Sequence, residues 1–200
     1  MNLAFQASLY YFYKQYHTSH LMPRFTIDEI RRKFANGKDF NEIFDAFEDA
    51  LSQGIQDVEL YRLLFWNSAL GPDELCLFGE KLAKEFPNLA YETYMWLASV
   101  FEVTYSMSDN FELAMQYYRK AALSKPEEVQ PYLDAADCHD PELNIPPFYW
   151  LVEFLKIGIN LVKDKKALLH RLSYLYQMHG DQKQADFYRN LADDLGRNQN

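Results

Sequence analysis

Glycine is scarce in this chain, with 7 residues among 200, and the nearest two are Gly71 and Gly79. A phosphate-cradling loop needs closely spaced glycines whose N–H groups can face the anion, so neither a P-loop nor a dinucleotide fingerprint is present. GxSxG and HExxH are also missing. There are 2 cysteines, Cys76 and Cys138, far apart and without a CxxC. They read as free thiols in a reducing, cytoplasmic setting, with a disulfide between distant parts of the chain as the alternative. No run of about 18 apolar residues exists, so no transmembrane helix is expected. The opening MNLAFQASLYYFYKQYH lacks a positive leader and an A-x-A exit, and it is not read as a secretory signal. Cations are in the minority: 20 Lys and Arg against 29 Asp and Glu give a net charge of −9. Binding to a nucleic-acid backbone needs clustered cations that release counterions, and an anionic membrane needs the same charge, so neither partner is expected.

What the chain has in quantity is apolar and aromatic residues. Hydrophobic residues make up 48%, with 15 Tyr and 15 Phe, enough for one sizeable core or a short repeat array. Few glycines and few β-branched runs favour helices.

The arrangement is periodic. Ile27, Ile30 and Phe34 recur at helical spacing, and so do Tyr61, Leu64 and Ser68, then Tyr94, Leu97 and Phe101. Tyr132, Ala135 and His139 follow loosely, and Leu169, Leu172 and Tyr176 close the series. The leading residues stand 34, 33, 38 and 37 positions apart. Small residues Ala50, Ala83, Ala121, Gly158 and Ala192 form a second series with separations of 33, 38, 37 and 34. Two series with one period predict repeated helix pairs, in which the small residue lets two helices approach. Breakers agree: Gly37, Gly54, Gly71-Pro72, Pro87, Pro126, Pro146-Pro147 and Gly180-Asp181 fall between the predicted helices. Pro72 followed by Asp73 and Glu74 predicts a helix start.

These residues resemble the tetratricopeptide repeat family. The match is best in YMWLASVF followed by NFELAMQYYRKAALSKP, with Ala114, Tyr118, Ala121 and Pro126 in the motif's slots. Gly180-Asp181, Ala185, Tyr188 and Ala192 match again near the end, and AMQYYRKAA is similar to Sel1-type repeats as well. The family's Trp stands at none of its slots, and its Gly is replaced by Arg31, Phe65, Ala98, Ala136 and Ser173. Arg31 and Phe65 point to looser packing early in the array. The resemblance implies an all-α fold, a right-handed superhelical array of antiparallel helix pairs. It implies about five pairs over 24–199, at 24–57, 58–90, 91–128, 129–165 and 166–199, preceded by an aromatic helix over 1–22. The third pair carries about one extra turn before Asn110, and the fourth carries the Pro-rich insertion DPELNIPP. Insertions of this kind project from a stack and often carry function, although drift produces them too.

In such arrays the first helix of each pair lines a concave groove. Carried over by register, that lining is Arg32, Arg62, Trp66, Met95, Ser99, Glu102, Leu133, Asp137, His170, Tyr174 and Gln177. Trp, Tyr and Arg are favoured interface anchors. The competing reading makes Trp66 and Tyr174 core residues displaced by a degenerate register. Some family members hold an acidic chain terminus with Lys, Asn and Arg, but the matching positions here are Met95, Ser99 and Asp137, so that role is not carried over. A second docking face is Phe5, Leu9, Phe12 and Tyr16, an apolar stripe at helical spacing. It either packs on the first repeat or docks into a groove of its own chain, a second copy or a partner, which would allow a homo-oligomer.

The titratable residues suggest no metal and no cofactor. His17 and His20 have no neighbouring carboxylate or cysteine. Asp137-Cys138-His139-Asp140 offers several ligand types, but consecutive residues on a helix point around its circumference and do not converge. His139 is read as filling an aromatic slot. His170 and His179 lie on or near a helix end. The leading functional expectation is a non-catalytic scaffold or adaptor that binds a peptide or helix of another protein. The second is a chaperone or assembly factor that sequesters a client segment. An enzyme ranks third, and would require a deep polar pocket with converging titratable groups.

Overall fold

The computed structural model describes residues 23–104 and 110–197. The N-terminal face of Phe5, Leu9, Phe12 and Tyr16, together with His17 and His20, lies outside them. The described residues form ten α-helices, one short 3-10 turn and no strand. None of these helices is long and apolar enough to cross a membrane. The chain divides into two compact units, one ending at Leu70 and one beginning at Gly71.

The first unit holds α1 (Ile27–Asn36), α2 (Phe40–Ser52) and α3 (Val58–Phe65). Each start is written locally. Thr26 and Glu29 cap α1 reciprocally, Asp39 accepts from the Glu42 N–H at 3.1 Å, and Asp57 accepts from the Glu59 N–H at 3.0 Å. α2 folds back on α1, and α3 packs against α1 as well. The core is aromatic: Phe34 and Phe47 meet the Tyr61 ring at 5.9 and 6.0 Å between centroids. All three side chains are fully buried, and each contributes about 1.5–3 kcal/mol by leaving water.

Two features differ from the periodic reading. Ile27 leads the first series but is 50% exposed, and Ile30 and Phe34 supply the burial. Ser68 lies outside any helix, because α3 ends at Phe65 with Trp66 as its C-cap. The cause is Asn67, buried just past that end. Its amide donates to the carbonyls of Phe34 at 2.8 Å and Gly37 at 3.1 Å, and its Oδ1 accepts from the Ala69 N–H at 2.9 Å. A side chain that satisfies three backbone groups replaces the next helical turn.

The second unit holds α4 (Pro72–Glu85), α5 (Ala90–Thr104), α6 (Asn110–Ser124), α7 (Gln130–Asp137), α8 (Phe148–Leu161), α9 (Lys166–Met178) and α10 (Gln182–Arg197). Pro72 starts α4, and Glu74 reaches back to accept from the Gly71 N–H at 2.7 Å. Each helix packs on the next, and α7 also packs on α9. The contact between α7 and α9 is the packing expected where one helix pair follows another in a helical repeat.

The small-residue series sits where helices come closest. Ala121 and Ala192 are fully buried. A Cβ on Gly158 would stand 2.8 Å from the Tyr132 ring and 2.9 Å from Leu168 Cδ1, so three helices converge on that backbone. Ser173, in a small slot of α9, donates to the Ala185 carbonyl at 2.7 Å and ties α9 to α10.

The Pro-rich insertion between α7 and α8 is a closed, self-bonded turn. Asp140 and Ile145 exchange backbone hydrogen bonds of 2.7 and 3.2 Å. Asp140 Oδ1 also accepts from the Glu142 and Leu143 N–H groups at 2.8 and 3.0 Å. Asn144 adopts a positive φ of 53° and accepts from the Phe148 N–H at 2.9 Å, setting the start of α8. His139 is therefore not on a helix. It lies beyond the end of α7, and its Nδ1 stands 3.0 Å from the Pro146 carbonyl oxygen.

Candidate functional site

The first helices of the pairs carry the residues expected to face a partner. In the first unit Arg32 is exposed on α1, and Trp66 at the end of α3 is 42% exposed. Arg62 pairs with Glu59 one turn back at 2.9 Å. In the second unit Met95, Ser99 and Glu102 are half-buried on α5, Leu133 is half-buried on α7, and Asp137 is exposed at that helix's end. His170, Tyr174 and Gln177 are exposed along α9, Tyr174 at 53%. Neither Trp66 nor Tyr174 is a core residue.

Interactions on this face of the second unit join three first helices to their neighbours. Asp137 on α7 forms an ion pair with Arg171 on α9. Gln177 accepts from Arg189 of α10 at 3.3 Å, so its side chain is engaged within its own pair. Glu102 on α5 accepts from the Tyr118 hydroxyl on α6 at 2.7 Å. Tyr118 is 1% exposed, and burial pushes its pKa up, so the hydroxyl keeps its proton and serves as a donor.

Glu102 also lines a pocket of about 280 Å3 between α5, α6 and the Pro-rich turn. Phe101, Phe111, Met115, Leu143, Ile145 and Pro146 give it apolar walls, and Cys138 and Asp140 complete its polar rim with Glu102. Burial, then the Glu102 charge, pushes the Cys138 thiol up. It stays a thiol and donates to the Asp134 carbonyl at 3.2 Å. A protonated, internally bonded sulfur is a poor nucleophile. Asp134, beside this rim, has its pKa raised by burial and by Glu102, while Gln130 and Arg171 act in the opposite sense. Both cysteines are free. Among the described residues no group of three or more His, Cys, Asp and Glu could hold a metal ion.

The sequence reading named Glu102 and Asp137 but missed Tyr118, Cys138 and Arg171 as their partners. Arg171 carried only a partial signal: it has the opposite charge and stands 34 positions after Asp137, about one helical turn short of the 37 that separates the leading residues of these two pairs. The pocket had no such signal, because half its wall comes from an insertion outside the period.

No family model matches the chain, and no curated protein does. Among solved structures it is similar to a crystal structure of MamA, at 16% identity and a TM-score of 0.49 over 89% of this chain and 98% of that one. It is also similar to MamA MSR-1 C2, at 16% identity and a TM-score of 0.46 over 86% of this chain and 95% of that one. The all-helical, tetratricopeptide-like fold of this chain rests on its own helix order and packing.

Proposed function

We propose that this protein is a non-catalytic scaffold or adaptor whose first helices present a binding face to a peptide or helix of another protein. The observation that carries this reading is the exposure of His170 and Tyr174 on α9 of the second unit and, within the first unit, of Trp66 at the end of α3, although Tyr149 on α8 and Phe187 on α10 are exposed as well. Exposed Trp and Tyr bring large contact area at low entropic cost and are favoured anchors of protein interfaces. The pairs proposed for this chain are 24–57, 58–90, 91–128, 129–165 and 166–199. A net charge of −9 favours a protein partner over nucleic acid.

The test is capture by the immobilised full chain from its native source, compared with a His170→Ala/Tyr174→Ala variant. Both substitutions fall on exposed side chains, so the fold is expected to survive, as circular dichroism would verify. A partner retained by the parent chain and lost at least tenfold by the variant is the expected result. Equal retention by both would overturn the assignment of the face.

A further inference from the structure

The pocket beside Glu102 has a composition that selects its occupant. Its volume of about 280 Å3 lies at the small end of ligand sites, which run from roughly 300 to 1,000 Å3. That is room for one long side chain rather than a cofactor. The walls are the rings of Phe101 and Phe111, Met115, Leu143, Ile145 and Pro146, surfaces that suit an aliphatic stem.

The negative charge of the rim has no counter-ion among the described residues. Among the described residues neither Glu102 nor Asp140 has a cation within ion-pair distance, and Arg171 nearby is taken by Asp137. The hydrogen bonds these carboxylates accept come from neutral donors: the Tyr118 hydroxyl for Glu102, and the Glu142 and Leu143 N–H groups for Asp140. Asp134 adds a third carboxyl close by, and its raised pKa reflects burial and the field of Glu102. The pocket wall is built to keep its form, because the turn from Asp140 to Ile145 is closed by its own backbone bonds.

We propose that this pocket receives a lysine or arginine side chain of the bound partner, its stem against the apolar walls and its charged head between Glu102 and Asp140. Lysine and arginine combine these two properties, a three- or four-carbon stem that buries well and a cation that does not. Charge-assisted bonds to the carboxylates fix the head. This rests on the scaffold reading above and adds the chemistry of one anchor to it.

The test uses the full chain and fluorescein-labelled Gly-Phe-Lys-Phe-Gly, read by fluorescence anisotropy beside the same peptide with glutamine or glutamate in place of lysine. The lysine peptide is expected to bind at least tenfold more tightly than the glutamine peptide, and more weakly as salt is raised. Glu102→Gln keeps an acceptor for Tyr118, and Asp140→Asn keeps the turn, so each removes charge and preserves the local bonding. Either variant is expected to weaken the lysine peptide about tenfold. Equal binding of lysine and glutamine peptides, no binding of either, or affinity unchanged in both variants would overturn the pocket assignment. If the captured partner then still depends on His170 and Tyr174, the scaffold reading stands without it.

Discussion

The Tyr118 hydroxyl meets Glu102 at 2.7 Å and holds a carboxylate of α5 against the second helix of the same pair. Tyr118 is buried and Glu102 is half-buried, so this bond does two things. It stabilises the α5–α6 pair, and it fixes where the charge of the pocket points. Tyr118→Phe removes the donor and leaves the acceptor short of a partner. A loss of about 1–2 kcal/mol in unfolding free energy is expected from urea denaturation. Glu102→Gln keeps the bond and should cost less.

Asp134 gives the same region a pH signature. Burial, then Glu102, raises its folded pKa above the ordinary carboxylate value. A carboxyl raised on folding takes up its proton more readily when folded. Its contribution to stability is therefore greatest at low pH and is lost as pH rises through the folded pKa. Asp134→Asn removes that penalty. Unfolding midpoints should rise relative to the parent chain above the carboxylate range, with the difference shrinking as pH falls below it. An identical pH profile for the two proteins would contradict the account.

In the first unit Asn67 satisfies three backbone groups from a site only 4% exposed. Asn67→Ala leaves two carbonyls and one N–H without that partner. The expected cost is about 2–4 kcal/mol, visible as a lowered melting temperature.

Gly158→Ala probes the closest helix approach. The added methyl would meet the Tyr132 ring at 2.8 Å and Leu168 Cδ1 at 2.9 Å. Overpacking of this kind costs about 1–3 kcal/mol. Calorimetry should show a lower transition temperature with the helix content retained.

The two thiols provide a probe of folding that needs no substitution. Burial raises both Cys76 and Cys138, and the charges of Glu80 and Glu102 add to it. A disulfide-exchange reagent at neutral pH should react with both far more slowly in the native chain than in urea. Equal rates would show that the burial assigned to them is wrong.

The helical fold was legible because its carriers are local and periodic. Pro72 marks a helix start, and Ala50, Ala121, Gly158 and Ala192 mark close approaches by size alone. Two of the misplaced positions, Ser68 and His139, share a reason: hydrogen bonds outside the helix ladder overrode the period. Asn67 ends α3 before Ser68, and the turn closed by Asp140 takes His139 out of the helix. The candidate site was legible only as far as register carries. Trp66, His170 and Tyr174 could be placed on first helices from the repeat. The pocket could not, because its walls come from α5, α6 and a turn that belong together only in three dimensions.

The central claim is that partners bind along the first helices. Hydrogen exchange of the full chain, with and without its captured partner, tests it most directly. The account predicts added protection on α5, α7 and α9, with the largest change around Glu102 and from His170 to Tyr174. Protection confined to α6, α8 and α10, with these first helices unchanged, would contradict it.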